Sequence, residues 1–134
     1  MMSYIVSRIE RSDQRAYGQQ CALLSKAGLA SDQQADIALG IYNHDYELLA
    51  TGSLSDNQLH SIAVDDCHRG KGIMNQIITY LYELRFQTGN HDLYVTVPEE
   101  LEVMFKSLGF YRIKRACENM VYMGNLHAVR LNQE

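Results

Sequence analysis

From Tyr4 to Ile9 apolar and polar positions alternate among strong β-formers, so the chain is predicted to open with a strand. Ser12 or Asp13 can cap a helix running to about Lys26, with Gly28 as its stop and Ala16, Tyr17, Cys21 and Leu24 as its apolar positions. Asp36 to Asn43 reads as a second strand. After the turn Asn43-His44-Asp45 the chain returns as a third strand, Tyr46 to Leu54, with Gly52 in or near a bulge. The turn Ser55-Asp56-Asn57 leads to a fourth strand, Leu59 to Val64. The period then becomes helical. From about Lys71 to Thr88, residues Ile73, Met74, Ile77, Ile78, Leu81 and Leu84 share one face, and Gly89-Asn90 ends the element. Asp92 to Val97 is a fifth strand. Pro98 is expected at the first position of a third helix, with Glu99, Glu100 and Glu102 in its first turn. Leu101, Met104, Phe105 and Leu108 form its buried stripe and Gly109 its stop. Phe110–Lys114 and Met120–Met123 close the chain as a hairpin.

The order β α β β β α β α β β predicts an α/β chain of α+β type, a mixed sheet flanked by helices. The strand–helix–strand crossover should be right-handed, which makes the fourth and fifth strands parallel. The 134 residues suit one domain spanning 1–134, with no linker, repeat or low-complexity segment. A net charge of −4 argues against nucleic acid and anionic membranes as partners. No run approaches the ~18 apolar residues of a membrane span. The start of the chain shows no signal-peptide pattern, so a cytoplasmic location is expected. Cys21, Cys67 and Cys117 are too few and too far apart for a disulfide framework. Cys67-His68 has no second ligand pair, so no metal site is expected; Cys67 reads as an oxidisable surface thiol.

The stretch 62-IAVDDCHRGKGIMNQII-78 carries the chemistry. A helix N-terminus presents unpaired N–H groups and partial positive charge. Glycines let a phosphate approach those amides, and Arg69 and Lys71 add charge. Spacing alone leaves this site and a plain mobile turn equally open. A nucleoside-triphosphate loop is excluded by the glycine-to-lysine spacing and by the absence of a following Ser or Thr. The dinucleotide fingerprint fails because Asn75 stands where its last glycine belongs.

Val64 to Met74 resembles motif A of the GNAT N-acetyltransferases, Q/R-x-x-G-x-G/A after the fourth strand. Arg69 and Gly72 match it, and Met74 stands where a small residue is usual. Met104-Phe105-Lys106-Ser107-Leu108-Gly109-Phe110 is similar to the family's L-Y-x-x-L-G-F. A closer resemblance, to the N-terminal acetyltransferase-like domain of citrate lyase ligases, rests on several segments. They are Gly52 with its short turn, His60-Ser61-Ile62-Ala63-Val64, Leu93-Tyr94-Val95-Thr96, Met104–Phe110 and Glu118-Asn119-Met120-Val121-Tyr122-Met123. In those ligases an adenylating domain follows; here the sequence ends at Glu134, so that chemistry is not carried over.

The resemblance implies the GNAT fold and acetyl-CoA as co-substrate. It places the pyrophosphate on the amides of Arg69, Gly70, Lys71, Gly72, Ile73, Met74 and Asn75. It places the pantetheine arm along Ile62, Ala63 and Val64, with the Val64 amide polarising the thioester carbonyl. It puts Phe105, as pocket wall or core, where a tyrosine acid is usual. Pro98 replaces a cofactor-contacting asparagine, and Gln58 stands where some histone-modifying members carry a glutamate base. The catalytic residues are therefore unknown, with His60 and Tyr94 as weak candidates against packing roles for both. His68 and Lys71 could meet the cofactor's 3′-phosphate or form only a solvated basic turn. The resemblance also allows a homodimer, but no interface is legible.

The leading function is acetyl-CoA-dependent N-acetylation of an unidentified amine. The alternative is a non-catalytic coenzyme-A-binding or regulatory domain related to citrate lyase ligase. A partner-binding domain that has lost the cofactor is disfavoured by the retained Arg69-Gly70-Lys71-Gly72.

Overall fold

The computed structural model describes residues 4–29, 35–89 and 91–125. The chain runs β1 (Ile5–Arg8), α1 (Gln14–Lys26), β2 (Ile37–Tyr42), β3 (Leu48–Ser55), β4 (Gln58–Val64), α2 (Ile73–Phe86), β5 (Tyr94–Pro98), α3 (Glu102–Ser107), β6 (Phe110–Cys117) and β7 (Met120–Asn125). The element order is the one the periodicities predict. The seven strands form one sheet in the order β1-β2-β3-β4-β5-β7-β6. Every neighbouring pair is antiparallel except β4 and β5, joined by the α2 crossover and parallel as expected.

The helices lie on both faces. Ile73, Ile77, Ile78 and Leu81 of α2 bury against Leu39, Ile41, Leu54 and Leu59, and Phe105 and Phe110 extend this core under α3 and β6. Gly52 sets how close α2 comes to the sheet: a Cβ there would stand 3.1 Å from both Ile77 and Leu81. On the opposite face α1 rests Leu23 and Leu24 on Ala63. Asp13 caps α1, accepting from the Ala16 N–H at 3.2 Å. The buried face of α1 is Gln20, Leu23 and Leu24, rotated from the one expected, because Gln20 donates from Nε2 to Thr51 Oγ1 at 3.2 Å inside the sheet contact.

Three expectations need correction. Pro98 is not the first residue of a helix; it is the last residue of β5, paired with Met120, with φ −56° and ψ 143°. The Glu99 N–H donates to the Asn119 carbonyl at 2.8 Å, holding the chain on the sheet one residue longer. A 3₁₀ turn, Glu99–Leu101, then precedes α3. The last hairpin is longer than its apolar pattern suggested, reaching Cys117 and Asn125. The crossover helix is shorter than expected at both ends; Asn90, assigned with Gly89 to its stop, lies outside the described residues. α3 is held to β6 by polar contacts as well as by its apolar stripe. Arg112 donates from Nε and Nη2 to the two Glu102 carboxylate oxygens, each at 2.6 Å, and holds that carboxyl below its ordinary pKa.

Candidate functional site

β4 is the strand on which the sheet opens. It pairs with β3 through Ala50↔Val64, Thr51↔Ala63 and Ser53↔His60. One residue of β3, Gly52, therefore faces two of β4, Ser61 and Ile62. This is a bulge on β4, with Gly52 opposite it as anticipated. Ser61 carries the distortion at φ +53°, a left-handed conformation unusual for a residue with a side chain.

Past the bulge β4 parts from β5. Their pairing consists of Gln58↔Tyr94 and Leu59↔Val95. The Asp65 N–H donates to the Leu49 carbonyl at 2.8 Å, toward β3. Strand alternation turns the Ala63 N–H the same way and aims the Ile62 and Val64 amides at the opposite edge, into the fork left by β5. An open edge with two parallel amides, at the carboxyl end of parallel strands, can take an extended amide-bearing ligand as a partial strand.

The glycine loop closes the wide end of the fork. Asp66–His68 forms a 3₁₀ turn capped by Asp65, whose carboxylate accepts from the Cys67 N–H at 3.3 Å and lies 3.1 Å from His68 Nδ1. The His68 contact is the main reason the Asp65 carboxyl titrates below its ordinary value. Arg69 is engaged with Asp66 at 3.1 Å on an exposed surface. Lys71 meets no carboxylate among the described residues.

Gly70 and Gly72 have φ +78° and +76°, and nothing lies within 4 Å of where their Cβ atoms would be. These are the positions where glycine matters, both for the turn and for the open approach. Gly72 caps α2 without a side-chain bond, and the first intrahelical bond is from the Gln76 N–H to the Gly72 carbonyl at 3.2 Å. The Ile73, Met74 and Asn75 amides thus stand free of the helix ladder at its positive end. An open groove of about 660 Å³ continues from Lys71 and Gly72 past Asn75 and Tyr80 toward Tyr4 and Val6.

The other predicted residues fall around this frame. Met74 is half-buried against the main core. Phe105 is only 1% exposed and meets Phe110 edge-on at 5.7 Å, so it lies within the main core. Tyr94 sits at the paired end of β5, stacked on Tyr122 at 5.5 Å with ring planes 5° apart. Gln58 donates from Nε2 to the Tyr122 hydroxyl at 3.1 Å. His60 is at the apex, one residue after the last β4–β5 pair. Its ring nitrogens lie 2.6 Å from Ser55 Oγ (Nε2) and 2.9 Å from Ser61 Oγ (Nδ1). Burial lowers the His60 pKa and the Asp36 carboxylate partly offsets this.

Sequence reasoning missed a second cavity, of about 190 Å³, under α1. Arg8, Arg11, Tyr17, Gln20, Ser53 and Ser61 line it. Its residues come from five separate elements, β1, α1, β2, β3 and β4, and no local pattern announces it. Among the described residues no group of His, Cys, Asp or Glu is arranged to hold a metal, and no helix is long and apolar enough to cross a membrane.

No family model matches the chain. It is 31% identical over 111 residues to a citrate [pro-3S]-lyase ligase of Haemophilus influenzae, an alignment covering 83% of this chain and 33% of that protein. The chain spans about a third of the length of the curated relatives it matches. Among solved structures, an aminoglycoside 6′-N-acetyltransferase complexed with coenzyme A superposes with a TM-score of 0.75 at 13% identity, covering 90% of this chain and 96% of that one. An acyl-CoA N-acyltransferase from Pseudomonas aeruginosa gives 0.72 at 14% identity, covering 93% and 99%.

Proposed function

We propose that this chain, whose fold is that of the GNAT acyl-CoA N-acyltransferases and whose sequence is similar to that of citrate lyase ligases, is an acetyl-CoA-dependent N-acetyltransferase acting on an amine. The observation that carries the reading is the fork. Ile62 and Val64 turn backbone polar groups into a gap between parallel strands, and the gap leads to a helix N-terminus fronted by two glycines in the left-handed region.

In this reading the amides of Gly70 to Asn75 hold the pyrophosphate, with Lys71 contributing charge and Arg69 sharing its own with Asp66. Ile62, Ala63 and Val64 hold the pantetheine arm by strand pairing. The Val64 amide faces the fork and polarises the carbonyl, a preorganised donor of the oxyanion-hole kind. Phe105 shapes the bed from behind. Acetyl-CoA supplies the activated acyl group; the chain supplies alignment and a dry, polar edge. Tyr94, half-buried and stacked at the closed end of the fork, is a weaker candidate for moving protons than His60 at its apex.

Calorimetric titration with coenzyme A tests the reading, with desulfo-coenzyme A and adenosine 3′,5′-bisphosphate alongside. Binding that requires the pyrophosphate supports it. No heat and no thermal stabilisation from any of the three overturns it and leaves a fold kept for partner binding. Coenzyme A binding without thiol release across a panel of amines favours the second reading, a non-catalytic coenzyme-A-binding domain. What supports that side is that Phe105, where the resemblance expects a tyrosine, has no hydroxyl to give a proton.

A further inference from the structure

The cavity under α1 shares no lining residue with the glycine loop, yet it touches the apex of the fork through Ser61. Ser61 is the bulge residue, held at φ +53°, where L-residues are disfavoured. Its hydroxyl lies 2.9 Å from His60 Nδ1, and His60 Nε2 lies 2.6 Å from Ser55 Oγ. With the Nε2 proton given to Ser55, Nδ1 is an acceptor for the Ser61 hydroxyl, and the Ser61 oxygen is left as the acceptor that faces the cavity.

On the far wall Gln20, 6% exposed, gives its amide nitrogen to Thr51. No described residue donates to its carboxamide oxygen, so it too can receive an N–H. The charged groups around the cavity are Arg8, Glu10 and Arg11 from the end of β1, and Asp36 before β2. Asp36 is engaged by the Asp56 N–H at 2.6 Å and by Arg85 at 3.8 Å. The volume of about 190 Å³ corresponds to roughly six waters, enough for a small molecule and too little for a folded partner's loop.

We propose that this cavity is the acceptor subsite for a small primary amine, and that Ser61 and His60 form the relay that takes the amine proton during acetyl transfer. The proposal rests on the acetyl-CoA reading above. The amine nitrogen forms the bond to the acetyl carbonyl carbon, and the carbon–sulfur bond breaks with its electron pair left on the coenzyme A sulfur. The amine proton passes to Ser61 Oγ as the serine proton passes to His60 Nδ1. The imidazolium then gives its proton to solvent, and the thiolate takes one from solvent. Burial keeps His60 neutral at neutral pH, and Asp36 steadies the transient cation.

The test uses the full chain, acetyl-CoA, and methylamine and ethanolamine as probes, following thiol release and the mass of the acetylated product against pH. The variants are His60→Gln and Ser61→Gly. Glycine is at ease at φ +53°, so the second variant keeps the bulge and removes the hydroxyl together with the carbon that bears it. Wild-type protein is expected to acetylate a probe. Both variants are expected to lose about 100-fold in kcat/KM for the amine and the pH inflection that His60 contributes, with coenzyme A affinity unchanged. Wild-type activity retained in either variant overturns the relay. Coenzyme A bound normally with neither probe acetylated overturns the acceptor subsite while leaving the cofactor reading intact. Failure of wild-type protein to bind coenzyme A overturns the underlying reading itself.

Discussion

Replacing Gly72 separates backbone, bulk and charge at the mouth of α2. With φ +76° and open space where a Cβ would stand, Gly72→Ala creates no clash. Its penalty is the left-handed backbone alone, about 1 to 2 kcal/mol of stability. Gly72→Glu carries the same backbone penalty and sets a carboxylate beside the free amides of Ile73 to Asn75. That charge favours the helix dipole, so the glutamate variant should be no less stable than the alanine variant, and more stable by up to roughly 1 kcal/mol. For an anionic ligand the sign reverses. A carboxylate roughly 5 Å from a phosphate oxygen, at an effective dielectric between ~20 and ~80, opposes binding by about 1 to 3 kcal/mol. This is roughly a 5- to 150-fold loss of affinity relative to Gly72→Ala. Coenzyme A calorimetry at two ionic strengths, with thermal melts of both variants, reads all of these terms. The gap in affinity should narrow at high salt. If the two folded variants bind coenzyme A equally well, the loop is not where the pyrophosphate sits.

The remaining predictions concern stability. Gly52→Ala should lose roughly 1 to 2 kcal/mol, because its methyl meets Ile77 and Leu81 at 3.1 Å and overpacking exceeds the small gain in strand propensity; urea unfolding would read it. At position 61 the usual order should invert. Ser61→Ala keeps the strained φ and loses the bond to His60, while Ser61→Gly loses the bond and relieves the strain, so glycine should be the more stable by about 0.5 to 1 kcal/mol in the same assay. The lowered His60 pKa gives a signed pH dependence. Unfolded chains bind the proton first as pH falls below the ordinary imidazole value. Stability should therefore decrease from there down through the native His60 pKa, and His60→Gln should remove that slope from melts taken between neutral and mildly acid pH.

What the sequence announced is what local periodicity encodes. The α2 stripe Ile73, Ile77, Ile78 and Leu81 was legible because the helix shows its buried face in its own residues, and β1 to β5 were legible as runs of β-formers bounded by turns, although β3, buried on both faces, shows no alternation. The glycine loop was legible because Gly70 and Gly72 are needed for backbone reasons that hold in any context. Pro98 misled because a long-range bond, Glu99 to Asn119, outweighed the preference of proline for a helix start. Gly52 hinted at the bulge, but the distorted residue is Ser61 on the facing strand, and nothing in a serine signals a left-handed backbone. Gln20 broke the expected face of α1 because its partner, Thr51, is 31 positions away. The cavity under α1 was beyond reach for the same reason, being assembled only once five elements meet.

The two-pair junction between β4 and β5 has a mechanical consequence. β1 to β4 and β5-β7-β6 are each laced by longer antiparallel ladders, so the sheet is two stiff panels spliced over Gln58↔Tyr94 and Leu59↔Val95. A ligand seated in the fork lengthens that splice and fastens the panels together. Occupancy should then appear in slowed hydrogen exchange at amides along the seam, Ile62 and Val64 among them, and as a stability against unfolding that climbs with ligand concentration, by about 2.7 kcal/mol at a hundredfold excess over Kd. On this view the bound arm serves as the eighth strand of a sheet that folds with a seam left open for it.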